Sequence, residues 1–97
     1  MYKDVYTRQA AKDAKLIEQA GLRPKVDELL RVVRQNPYQN PPPYEKLVGV
    51  SDTYSRRITK THRFVYQVLQ NTENLNDDAG EPYKGIIKVI RMWTHYE

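Results

Sequence analysis

Two neighbouring helix patterns near the start of the chain constrain the fold more than any other feature. The first begins after Thr7, a good N-cap residue, and Gly21 supplies its stop. The second begins near Pro24 and ends at Asn36. The apolar positions are Ala10, Ala14 and Ile17 in the first helix and Val26, Leu29, Leu30 and Val33 in the second. Because each helix has one apolar stripe, we expect a helical hairpin that buries both stripes on another layer.

The second half of the chain supplies that layer as strands. Residues 37–43 contain four prolines and are predicted to form an extended surface loop. The runs 53–59 and 63–69 are typical of two strands joined by a short polar turn, and 83–94 is the most apolar strand. The polar segment 71–82 is predicted to be an exposed loop.

A short strand ending at Tyr6 completes the order β-α-α-β-β-β. This order predicts an α+β fold in which a two-helix hairpin packs on one face of a small antiparallel sheet. The first strand is expected to enter beside the last.

Size and composition narrow the functional classes. A chain of 97 residues has room for one domain, residues 1–97, with one two-layer core. It has no cysteine, which excludes disulfides and thiolate metal sites and fits a reducing cytosol. No apolar run of 18 residues occurs, so we expect a cytoplasmic protein with no membrane partner. Its net charge of +4 favours a polyanionic partner.

Several charged side chains lie where strands are predicted to begin or end. Glu45 follows the proline loop, and Arg57 and Arg63 flank the turn between two strands. RNA can be cut without a metal or cofactor when a base removes the 2′-OH proton and a cation stabilises the phosphorane charge. Glu45 suits the base, with a solvated surface residue as the alternative. The arginines suit phosphate oxygens, with a salt bridge to an acid such as Glu73 or Asp77 as the alternative.

The end of the chain carries a candidate for the general acid. His95 follows the apolar strand, and an imidazole holds or donates a proton near neutral pH; a frayed terminal residue is the alternative. Tyr96 suits stacking on a base or a phosphate contact, with hydrophobic docking as the alternative. Trp93 is expected in the core ahead of Met92. His62 lacks a second ligand at useful spacing, so no metal site is expected.

The length of the turn decides whether the two arginines share a face of the sheet. An even number of turn residues puts Arg57 opposite Phe64 and leaves Arg63 on the other face, whereas an odd number or a bulge brings both arginines together. No glycine occurs in 59–62 to favour a bulged three-residue turn, so Arg63 is preferred to Arg57 as a site residue.

Three stretches carry a resemblance to a known family. Ser55-Arg56-Arg57-Ile58-Thr59, two residues, then His62-Arg63-Phe64-Val65-Tyr66 resembles the pattern Ser-Arg-Arg-Ile-Thr, two residues, His-Arg-Leu-Val-Tyr of the YoeB/Txe toxins in the RelE superfamily. His95-Tyr96 matches the closing pair of that family. The segment 43–47 resembles the one that carries the catalytic Glu of the family. The similarity extends over most of the chain from about Arg8.

The resemblance implies a RelE-like fold and a role for each matching residue. It makes Glu45 the general base, His95 the general acid and Arg63 the residue that stabilises the transition state. Its implied substrate contacts are Arg57, Tyr96, Lys46 and Arg56. Val48 replaces a basic residue that is usual in the family, a loss for which Lys46 partly substitutes.

The resemblance also implies an activity and partners. It predicts a type II toxin that cleaves mRNA at the 30S A site of the ribosome and leaves 2′,3′-cyclic phosphate and 5′-OH ends. A cognate antitoxin of the YefM or Phd type, operator DNA bound only through the antitoxin complex, and a homodimer are the implied assemblies. The fold alone does not fix this function. A non-catalytic RNA- or antitoxin-binding component and a gyrase-targeting toxin are the alternatives.

Overall fold

The computed structural model describes residues 1–93, which form two helices and five strands. In chain order these are β1 (Tyr2–Tyr6), α1 (Arg8–Gln19), α2 (Arg23–Gln35), β2 (Glu45–Lys46), β3 (Thr53–Arg57), β4 (Arg63–Leu69) and β5 (Gly85–Arg91). All six predicted elements are present. The additional strand, β2, has only two residues and is too short to give a sequence pattern.

The helix ends follow the sequence signals. Oγ1 of Thr7 accepts a hydrogen bond from the backbone N–H of Ala10 at 3.0 Å and caps α1. Gly21 adopts a φ of +73°, a left-handed conformation that few other residues tolerate, and it directs the chain into α2. Within residues 1–93, neither helix is long and apolar enough to cross a membrane.

The five strands form one sheet in the order β1-β5-β4-β3-β2. The α+β fold class is confirmed, and β1 does enter beside β5. One detail of the predicted sheet needs correction, because β1 runs parallel to β5 and the sheet is therefore mixed. The direction of β1 is free to differ because no hairpin joins it to β5; both helices and three strands lie between them in the chain.

Both helices pack on one face of this sheet. Their buried stripes meet Phe64 and Tyr66 of β4 and Ile87 and Val89 of β5. Met92 is buried, whereas Trp93 is only partly buried, so the expectation that Trp93 is the core residue of the two is wrong. The chain leaves β5 at this point, and the alternation of a strand no longer applies. The opposite face of the sheet, here called the outer face, is left without helices.

Candidate active site

The turn between β3 and β4 determines which arginines meet. It spans residues 58–62, and Oγ1 of Thr59 accepts hydrogen bonds from the backbone N–H groups of Thr61 and His62 at 3.1 and 3.0 Å. This odd number of turn residues places Arg57 directly opposite Arg63 in the ladder. Directly opposed residues share a face of the sheet, so both arginines belong to the outer face. The preference for Arg63 over Arg57 is therefore corrected, and the two form one group.

The short strand β2 brings Glu45 to the same group. Glu45 lies opposite Ser55 in the ladder. Ser55 is two residues before Arg57 in β3, so both residues belong to the outer face. Nη2 of Arg63 donates to Oε1 of Glu45 at 3.1 Å. An open cleft of about 300 Å³ is lined by the charged residues Glu45, Arg57 and Arg63 together with Pro43 and Tyr44.

Ser55 is a contributor that the sequence analysis missed. Its Oγ accepts a hydrogen bond from Nε of Arg63 at 2.8 Å, which fixes the plane of the guanidinium. Within residues 1–93, Nη1 of Arg63 has no hydrogen-bond partner. A hydroxyl on the face of the strand that also carries Arg57 was the signal available in the sequence.

The charges of the cleft suit an anionic ligand. Among the described residues it holds two guanidinium groups and one carboxylate, so this lining has a positive net charge. The side chain of Arg63 is 16% exposed and that of Glu45 is 73% exposed. An ion pair with one partner so solvated contributes about 0–1 kcal/mol to stability. A phosphate can therefore displace the carboxylate from Arg63 at little cost to the fold.

Two residues expected at the substrate lie elsewhere. Lys46 is opposite Tyr54 in the ladder and so belongs to the face that carries the helices, away from the side chain of Glu45. Arg56 has no exposed surface and contacts the proline loop from the core side. Strand alternation explains both corrections, because neighbouring residues of a strand point to opposite faces of the sheet. Lys46 directly follows Glu45, and Arg56 directly precedes Arg57.

The expected general acid, His95, and the expected substrate contact, Tyr96, lie outside the described residues. The chain is described as far as Trp93, whose indole stacks on the imidazole of His62 with ring centroids 4.1 Å apart. His62 directly precedes Arg63. The last described residue therefore lies beside the hairpin that carries both cleft arginines.

Asp13 of α1 anchors the end of β5 and is a second residue that the sequence analysis missed. Its Oδ2 accepts hydrogen bonds from Nε of Arg91 and from the backbone N–H of Met92, both at 2.9 Å, and its Oδ1 accepts from Nε2 of Gln9 at 3.1 Å. Burial by itself would raise the pKa of Asp13, but the bonds from Met92, Gln9 and Arg91 outweigh it and hold this pKa below its usual value. The sequence signal was an acid placed within the apolar stripe of a helix.

Among residues 1–93, no group of three or more His, Asp or Glu side chains could hold a metal ion.

Solved structures with similar folds come from bacterial toxins. A YoeB/ParE toxin from Agrobacterium tumefaciens is 28% identical, with a TM-score of 0.74 over 97% of this chain and 99% of that chain. YoeB from Staphylococcus aureus, solved as a dimer, is 27% identical, with a TM-score of 0.68 over 98% of each chain. The DinJ–YafQ toxin–antitoxin complex from E. coli shares the fold at 18% identity and a TM-score of 0.69, over 97% of this chain and 92% of that chain. A search of curated protein sequences finds no match.

The family comparison covers nearly the whole chain. Residues 2–96 match the family described as YoeB-like toxin of bacterial type II toxin-antitoxin system. The match includes the cleft residues and the segment beyond Trp93. The chain therefore belongs to the YoeB-like family of toxins from bacterial type II toxin–antitoxin systems.

Proposed function

We propose that this toxin is an endoribonuclease that cleaves mRNA at the 30S A site of the ribosome and so inhibits translation. Glu45 takes the proton of a ribose 2′-OH, and the oxygen attacks the adjacent phosphorus. The bond from phosphorus to the 5′ oxygen breaks, and His95 gives this oxygen its proton. The products carry a 2′,3′-cyclic phosphate and a 5′-OH. The roles of His95 and Tyr96, as general acid and substrate contact, rest on the family resemblance.

The observation that carries this proposal is the convergence of Glu45, Arg57 and Arg63 in one cleft on the outer face. The three residues come from β2, β3 and β4, and a carboxylate beside two guanidinium groups supplies a base next to a site for phosphate oxygens. Charge builds on these oxygens in the transition state, where positioned arginines stabilise it most.

The exposure of the cleft supports a requirement for the ribosome. A carboxylate that is 73% exposed is well solvated, and water weakens its action as a base. The part of the cleft that residues 1–93 form is open, so these residues by themselves do not exclude water from a bound RNA. A second surface laid over the mRNA would exclude that water and hold the 2′-OH in line with the phosphorus.

A cognate antitoxin is the proposed protein partner. YoeB from S. aureus, 28% identical to this chain, is solved in complex with YefM. The positive cleft suits an acidic antitoxin segment that orders on binding. A YefM- or Phd-like antitoxin, operator DNA contacted only through that complex, a homodimer such as the one solved for S. aureus YoeB, and a cytoplasmic location complete the proposal.

The test is cleavage of a defined mRNA by purified toxin with and without programmed ribosomes, mapped by primer extension. We expect cuts that require ribosomes and that are lost with Arg63→Ala. Arg31→Ala is the matched control, because Arg31 is exposed on α2. RNA binding without cleavage would favour the non-catalytic alternative. DNA damage without arrested translation would favour a gyrase toxin.

A further inference from the structure

Among residues 1–93, Arg56 is the largest side chain with no exposed surface. Its Nε donates to the hydroxyl of Tyr66 at 3.0 Å and its Nη2 to the carbonyl of Pro37 at 3.0 Å. Its Nη1 donates to the carbonyl of Pro42. The hydroxyl of Tyr66 also donates to the carbonyl of Pro37, at 2.7 Å. The guanidinium thus bonds both ends of the proline loop and the hydroxyl that braces one of them.

No carboxylate within residues 1–93 pairs with this guanidinium. Burying a charge without a counter-ion is costly unless other groups satisfy it, and an apolar side chain of similar length would fill the same space. Prolines donate no hydrogen bonds, so a loop made of them cannot brace its own carbonyl groups by a backbone ladder. The carbonyl groups of the proline loop take the place of a counter-ion for Arg56, and the same hydrogen bonds hold the loop.

The loop held by Arg56 leads directly to Glu45. The ring of Tyr44, the preceding residue, lies over the guanidinium with its centroid 4.8 Å from Cζ. Tyr44 also packs edge-to-face on Tyr54, at 5.7 Å between centroids. Arg56 therefore contacts Tyr44 on the face of the sheet that carries the helices. Tyr44 directly precedes Glu45, whose side chain lies on the outer face.

The strand that carries Glu45 has little support of its own. β2 consists of two residues at the edge of the sheet and pairs with β3 alone. So short an edge strand opens easily unless side chains hold it. The position of the Glu45 carboxylate beside Arg63 then depends on the contacts made by the loop, and within residues 1–93 Arg56 supplies two of the three hydrogen bonds that join the loop to the sheet.

We propose that Arg56 is a positioning residue, which sets the place of Glu45 relative to Arg63 by holding the proline loop from the core side. Its catalytic consequence rests on the proposed function. Ser55, Arg56 and Arg57 then serve one site from two faces of β3: Ser55 orients Arg63, Arg57 lines the cleft, and Arg56 holds the base in place.

The activity test is a double-mutant cycle of Arg56→Met and Glu45→Gln on programmed ribosomes. Met keeps an apolar stem of similar length and removes every donor. A displacement of about 1 Å costs up to roughly 100-fold in rate, so we expect Arg56→Met to lower the single-turnover rate by about 10- to 100-fold at saturating toxin. In the Glu45→Gln background the same change should cost less than about twofold. Equal losses in both backgrounds would overturn the proposal.

Two further variants separate positioning from general loss of stability. Ile87→Ala removes a buried side chain of β5 that faces Val68, away from the loop. If Ile87→Ala lowers Tm as much as Arg56→Met does, its cleavage rate should still be close to that of wild type. Tyr66→Phe removes only the hydroxyl shared by Arg56 and Pro37, and we expect a loss of about threefold. This milder variant keeps the test decisive if Arg56→Met fails to fold, and a rate equal to wild type would then contradict the proposal.

A measurement without RNA keeps this proposal distinct from the proposed function. Amide hydrogen exchange in Arg56→Met, or in Tyr66→Phe if the first variant does not fold, should rise at Tyr44, Glu45, Lys46 and Leu47 and stay unchanged in the centres of β4 and β5. Unchanged exchange at residues 44–47 would overturn the positioning role, whether or not the wild type cleaves mRNA. If the wild type fails to cleave while this exchange rises, the proposed function fails and the role of Arg56 in holding Glu45 stands.

Discussion

Arg63 and Glu45 form an ion pair across the outer face of the sheet, with Nη2 and Oε1 3.1 Å apart. The same guanidinium is held through Nε by Ser55 at 2.8 Å. The proposed base and the proposed stabiliser of the transition state are therefore positioned together, one from an edge strand and the other from the hairpin. We expect a phosphate that enters the cleft to take the place of the carboxylate on Arg63, because an ion pair with so exposed a partner is weak.

Glu45→Gln tests the role of the base. The amide keeps the shape of the side chain but accepts a proton poorly, so we expect the single-turnover rate on programmed ribosomes to fall about 100-fold or more. Binding of the toxin to the ribosome should persist. Glu73→Gln, on the exposed 71–82 loop, is the matched control. A rate equal to wild type for Glu45→Gln would mean that Glu45 is a solvated surface residue and not the base.

Arg63 variants test the geometry of its fork. Arg63→Ala is expected to lower the cleavage rate about 100-fold or more while the fold survives, because the ion pair it loses is weak. Arg63→Lys should rescue poorly, since an ammonium group lacks the planar fork that bonds Ser55 and a phosphate together. Thermal unfolding and cleavage are measured on the same preparations. Equal activity of all three proteins would reject the assignment.

The sequence predicted the elements better than the contacts between them. Helix stripes, caps and alternating strands are local signals, and they located both helices and the strands β1, β3, β4 and β5. The pairing of Arg57 with Arg63 depends on a five-residue turn braced by the hydroxyl of Thr59, and without a glycine that turn left no clear signal. Register is set by such details, and one residue more or less moves a side chain to the other face.

Burial of Arg56 was beyond sequence reasoning for a different reason. An arginine between two polar residues is expected to be exposed. Its partners, Pro37, Pro42, Tyr44 and Tyr66, come from separate parts of the chain and meet only in the folded protein. The family resemblance placed Arg56 among the substrate contacts, because a match of residue types carries no information on burial.

Asp13 predicts how stability depends on pH. Its pKa is lowered in the folded protein, so the carboxylate form favours folding. This contribution is fully present above the usual Asp value of 3.8 and is lost as pH falls through the lower folded value. Asp13→Asn should lower the free energy of unfolding by about 1–3 kcal/mol at pH 7, because Arg91 and the N–H of Met92 lose their charged acceptor.

Urea unfolding of wild type and Asp13→Asn at pH 7 and at pH values below 3.8 measures this effect. The two stabilities should converge as the pH falls. Asp27→Asn, at an exposed position on α2, is the control and should change stability by less than about 0.5 kcal/mol at either pH. A constant difference between wild type and Asp13→Asn across this range would contradict the assignment to the carboxylate.

The chemistry of the cut itself gives the most direct prediction. Attack by the 2′-OH requires that hydroxyl at the scissile nucleotide and leaves its oxygen bonded to the same phosphorus, so the upstream product ends in a 2′,3′-cyclic phosphate and the downstream product in a 5′-OH. An mRNA with a single 2′-deoxy nucleotide at the mapped cut should bind the ribosome normally and resist cleavage by the toxin. The same substitution one nucleotide upstream is the control and should be cut at close to the normal rate. Cleavage of the first mRNA, or products that carry 5′-phosphates, would mean that water attacks the phosphorus, and Glu45 would then have no 2′-OH proton to remove.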